Sequence, residues 1–63
     1  MRIRELRKAR GMSMAALAKE VGTTSAAICR YEKGARRPNV FMAIKIANAL
    51  GVTVEELIGK KAG

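Results

Sequence analysis

The stretch Ser13–Gly34, SMAALAKEVGTTSAAICRYEKG, reads as two short helices joined by a tight turn. Ser13 can cap the first of them, and Leu17, Ala18 and Val21 then fall at the spacing that lines one helical face with apolar side chains. Gly22 ends that helix, because glycine takes the left-handed geometry after a helix without steric cost. Thr24 can cap the second helix, in which Ile28 and Tyr31 share a face, and Gly34 stops it. Helices this short are marginal alone and must cross and pack. Ala18 is small where they meet, so the backbones can approach closely.

Working outward, residues 2–10 read as a helix on the N-terminal side. Ile3, Leu6 and Ala9 supply its apolar stripe, with Arg4, Lys8 and Arg10 pointing outward. Gly11 caps its end and Met12 folds back toward the core. On the other side, residues 35–39 form a loop in which Pro38 steers Arg37 away from helical geometry. Asn39 caps a fourth helix, residues 40–50, with Val40, Ile44, Ala47 and Leu50 as core stripe and Ala43 and Ile46 broadening it. Phe41 and Met42 read as satellite core, with an exposed apolar patch as the alternative. After Gly51, Thr53 and Glu56 make a capping box for a last short helix whose apolar face is Val54, Leu57 and Ile58. Residues 60–63 read as a frayed tail. The expectation is one all-α domain of five helices over residues 1–63, organised around 13–34, with no effector or oligomerisation domain following.

Composition agrees. The core is aliphatic: 49% of the 63 residues are hydrophobic, with one Tyr and one Phe, which favours helices over a sheet. The net charge of +8 calls for an anionic partner, nucleic acid before a membrane surface. The bases cluster. Arg2, Arg4, Arg7, Lys8 and Arg10 crowd the first helix, and Arg30, Lys33, Arg36 and Arg37 surround the end of the helical pair, whereas Glu55 and Glu56 lie at the far end. A lone cysteine, Cys29, suits a reducing cytoplasm and reads as an inert small side chain rather than a redox sensor. No apolar run approaches the length of a membrane span, and no secretory signal is visible. Without histidine or aspartate, the chain offers no nucleophile–base pair and no metal-ligand set, so neither an enzyme nor a metal or cofactor is expected.

Two packed helices with a tight turn make a helix-turn-helix, whose second helix can enter the major groove of DNA. The segments LRKARGMS, LAKEVGTT and AICRYEKG, then RRP, KIANALGV and VEELIG, follow in order from about Ile3 to Gly59. Together they resemble the Cro/cI-type (XRE) helix-turn-helix family of phage and bacterial repressors. The resemblance implies a compact five-helix, lambda-repressor-like DNA-binding domain. It implies base contacts from Ser25, Ala26 and Arg30. Arg30 is the strongest reader, since a guanidinium can donate two bonds to guanine, with a plain phosphate contact as the alternative. Ala26 can only pack on a thymine methyl. Phosphate contacts are implied for Arg7, Arg10, Ser13, Thr24, Lys33, Arg36 and Arg37. Relatives commonly carry Gln and Glu after the serine, where this chain has Met14, Ala15 and Ala16; any phosphate contact there falls to backbone amides. Arg7 and Glu32 match an ion pair beneath the DNA face. The resemblance further implies a homodimer on an inverted-repeat operator, paired near Val54, Leu57 and Ile58, with Phe41 as an alternative. The implied function is a sequence-specific double-stranded DNA-binding transcriptional regulator of repressor type, with no small-molecule effector site apparent. The alternative is a protein-interaction module such as an antitoxin or anti-repressor component.

Overall fold

The computed structural model describes residues 1–59, and the expected frayed tail lies outside them. Five helices follow in order: α1 (Ile3–Ala9), α2 (Met14–Val21), α3 (Ser25–Lys33), α4 (Val40–Leu50) and α5 (Val54–Ile58). Each of the last four begins on a side chain that accepts a backbone hydrogen bond. Ser13 Oγ takes the amide of Ala16 at 3.0 Å and Thr24 Oγ1 that of Ala27 at 3.1 Å. Asn39 Oδ1 takes that of Met42 at 2.8 Å. Thr53 and Glu56 close a reciprocal capping box. Such caps each stabilise a helix by about 1 kcal/mol, which matters when the helix is only one to three turns long. The same four helices stop at a left-handed glycine.

The helices pack because none can cover its apolar face alone. α2 lies against α3 and α4, α1 against α3 and α4, and α5 against α4. Ile3, Leu17, Ile28, Ile46, Leu50 and Leu57 are fully buried where these helices converge, and Ala18, Val21, Ala43 and Ala47 fill between them. The amide of Arg2 donates to the carbonyl of Leu57 at 2.8 Å, so the start of α1 is tied to α5.

The structure corrects four sequence-based core assignments. In α4 the buried line is Ala43, Ile46, Ala47 and Leu50, while Val40 and Ile44 are exposed. A helix reading VFMAIKIANAL is apolar on nearly every side, so its neighbours choose the phase rather than its own periodicity. Phe41, 77% exposed, is not satellite core, although Met42 packs against the core as expected. Ala9 is exposed, and Arg7 occupies the inward position beside Leu6 instead.

Candidate nucleic-acid interface

α3 turns Ile28 and the half-buried Tyr31 inward, and this fixes what it shows to solvent. Ser25, Ala26, Arg30 and Lys33 are exposed on the opposite side, and Cys29 is half-buried at its edge. The face carries two cations and a hydroxyl but no carboxylate, which suits an anionic, hydrogen-bonding partner. Beyond the C-terminal glycine, the carbonyl of Arg30 accepts from the amides of Ala35 (3.0 Å) and Arg36 (3.4 Å). The basic loop thus hangs from the last turn of α3, and Arg36 and Arg37 stand exposed beside it. Ser13 and Thr24 are exposed at the helix starts, each with its oxygen already engaged as a cap.

The Arg7–Glu32 pair is formed. Arg7 Nε donates to Glu32 Oε2 at 2.9 Å and Nη2 to Oε1 at 3.4 Å, while Nη1 donates to the carbonyl of Met12 at 2.7 Å. The two side chains are 10% and 8% exposed. The guanidinium therefore binds α1 to α3 and to the loop entering α2, which sets α3 relative to the N-terminus of α2.

Two of the arginines expected at phosphates are engaged within the fold of the free chain. Arg7 is buried and bonded to Glu32 and to the Met12 carbonyl, which ties α1 to α3. Arg10 is exposed, and its Nη1 donates to the carbonyl of Leu50 at 3.3 Å, capping the end of α4. A Cβ on Gly51 would lie 2.7 Å from that Nη1 and displace the arginine tip, and the backbone at φ +70° favours glycine there. Among the expected dimer residues, Leu57 is fully buried and unavailable to a partner, whereas Ile58 and Phe41 are exposed and Val54 is half-buried.

Sequence reasoning left Arg4 and Lys8 without a role. They stand one turn apart on α1 and, with Met14, Cys29 and Lys33, line a surface furrow of about 240 Å³ between α1 and α3. Their i, i+4 spacing beside Arg7 was the available signal. A bulky maleimide on Cys29 fills this furrow and is expected to abolish duplex binding while leaving the helical circular dichroism intact. Cys29→Ser is expected to bind as the unmodified protein does. Full binding by the alkylated protein would show that this side of α3 stays clear of the ligand.

The comparisons with known proteins agree with this geometry. The profile of the helix-turn-helix family matches residues 3–57. An uncharacterized HTH-type transcriptional regulator of Archaeoglobus fulgidus is 41% identical over 56 residues, covering 89% of this chain and 80% of that protein. Another, of Methanothermobacter thermautotrophicus, is 45% identical over 49 residues, 78% of this chain and 71% of its own. The cryptic phage CTXphi transcriptional repressor RstR of Vibrio cholerae is 34% identical over 61 residues; the match spans 97% of this chain but 54% of the repressor. No solved structure matches the chain. With the five-helix order, the Arg7–Glu32 tie and an exposed α3, the profile match means that the chain belongs to the helix-turn-helix family of Cro/cI type, the DNA-binding transcriptional regulators.

Proposed function

We propose that the protein is a sequence-specific repressor, acting in the cytoplasm as a homodimer that covers an inverted-repeat operator and excludes polymerase. The observation that carries the DNA reading is the exposed face of α3, with Ser25, Ala26, Arg30 and Lys33 free of packing duties and a basic loop hung beside it. Phosphate contacts by Lys33, Arg36 and Arg37, with the free amides at the starts of α2 and α3, supply affinity, and base contacts supply discrimination. RstR, a repressor by name, matches along almost the whole of this chain, which supports the choice of repression. Selection of bound sites from random duplex DNA tests the proposal: an inverted repeat should be enriched, and recovery of no preferred sequence would refute it.

On the selected duplex, Arg30→Ala is expected to lose about 1–3 kcal/mol of discrimination against a scrambled site. Arg37→Ala should weaken matched and scrambled duplexes alike and flatten the salt dependence by about one contact. Equal losses on both duplexes for Arg30→Ala would reduce Arg30 to a phosphate contact.

The dimer reading is supported by an apolar surface between α4 and α5. Val40 (72% exposed), Phe41, Ile44 and Ile58 are exposed, and Val40, Ala43, Ile44, Val54 and Ile58 line a groove of about 380 Å³ with Met1, Pro38 and the Arg37 side of the loop. Apolar side chains gathered in this way on a small basic domain mark a surface that another chain covers. The same patch favours a second reading, in which a different protein docks there as in an antitoxin or anti-repressor complex. Sedimentation of the free protein over a concentration series, with titration of the intact repeat against a single half-site, separates the two, since self-pairing gives a dimer at high concentration or cooperative filling of the two half-sites.

A further inference from the structure

The furrow between α1 and α3 is more than a gap between helices. Three exposed cations line it: Arg4 and Lys8 from α1 and Lys33 from α3. None of them forms an ion pair among the described residues; the pairs there are Arg2–Glu5 and Arg7–Glu32. Glu32 is the single carboxylate in the lining, and its charge is matched by Arg7. Helix stability does not account for this arrangement. Lys8 suits the last turn of α1, but Arg4 stands in the first turn, where positive charge opposes the helix dipole. Cations crowded without a counter-charge repel one another and favour a bound anion.

We infer that Arg4, Lys8 and Lys33 form a seat for a phosphate of the DNA backbone, an α1 contribution beside the internally bonded Arg7. This rests on the DNA-binding reading above. Tyr31, which lines the pocket beside Arg36 and Arg37, and Cys29, which lines the furrow, lie two residues apart on α3 and so point to nearly opposite sides of it. The furrow and the basic loop therefore flank the recognition helix. With α3 in a major groove about 12 Å wide, each flank meets one of the two bordering backbones. The recognition helix is clamped from both sides rather than pinned at its C-terminal end.

The test uses the full chain and a mixed-sequence duplex, because phosphate contacts do not depend on sequence. Binding is followed by fluorescence anisotropy across a salt titration. Arg4→Gln and Lys8→Gln should each reduce the log–log slope by about 0.9, which makes binding roughly eightfold weaker near 0.1 M salt and convergent with wild type near 1 M. Lys8→Arg should keep the wild-type slope. Lys45→Gln removes the same charge from the exposed side of α4 and should also keep it. Melting curves by circular dichroism, unchanged for these surface variants, show that the losses do not come from unfolding. Wild-type slopes in both Arg4→Gln and Lys8→Gln, or an equal loss in Lys45→Gln, overturn the seat while the DNA reading stands. No salt-dependent duplex binding by the wild type overturns that reading, and the seat with it.

Discussion

Arg7→Ala is expected to destabilise the domain by about 3–5 kcal/mol, because it strands the buried carboxylate of Glu32 without a partner. A chain of this length holds only about 3–9 kcal/mol of total stability, taking roughly 0.05–0.15 kcal/mol per residue. The variant should therefore be largely unfolded on warming, and in urea its midpoint should fall to a fraction of the wild-type value. Glu32→Ala should be nearly as damaging. It leaves the Arg7 guanidinium buried with the Met12 carbonyl as its remaining partner. The double variant should cost clearly less than the sum, since neither charge then lacks its counterpart. Arg7→Met with Glu32→Leu should recover more still, because apolar groups of similar volume replace a buried ion pair with little or no loss. Strict additivity in the cycle would mean that the 2.9 Å contact contributes nothing to the folded state.

Deleting one half-site from a selected inverted repeat should weaken binding by about 2–5 kcal/mol, half of the usual margin between specific and random DNA. One domain offers few readers, and Ser25 and Ala26 are weak ones, so a single copy discriminates poorly. A two-fold pair doubles the base contacts and sets the half-sites about 34 Å apart, one turn of the duplex. Phe41→Glu and Ile58→Glu should reproduce the half-site loss on the intact repeat by driving the copies apart. They should leave the melting temperature near wild type, since both side chains are exposed in the monomer. Leu57 gives no such test; its removal would hollow the core. Sedimentation should show two copies per repeat for the wild type. One copy at saturation, with affinity indifferent to the deleted half-site, would rule the dimer out.

The helix boundaries were legible in the sequence because they depend on local chemistry. Ser13, Thr24, Asn39 and Thr53 cap as their residue types dictate, and the glycines at 22, 34, 51 and 59 stop each helix within a residue of where a reader of the chain would place the end. The Arg7–Glu32 pair was legible only through family resemblance, since the two residues are 25 apart in the chain. What the sequence hid was phase and reach. α4 is apolar nearly all round, and α5 is little more than one turn, so neither pattern tells Ile46 from Ile44 or Leu57 from Ile58. An arginine side chain is long enough to serve either of two surfaces. Arg10 caps α4, 40 residues away in the chain, while Arg4 and Lys8 remain at the edge of α3.

Ser25, Ala26 and Arg30 are exposed, and their side chains form no hydrogen bond or ion pair among the described residues. Substitutions at such positions change stability by about 0.5 kcal/mol or less. The scaffold is therefore indifferent to what is written on this face. A lineage can exchange one operator for another there without first acquiring a stabilising change elsewhere. By the same token, the three positions can be randomised together in a library, and nearly every member should still fold.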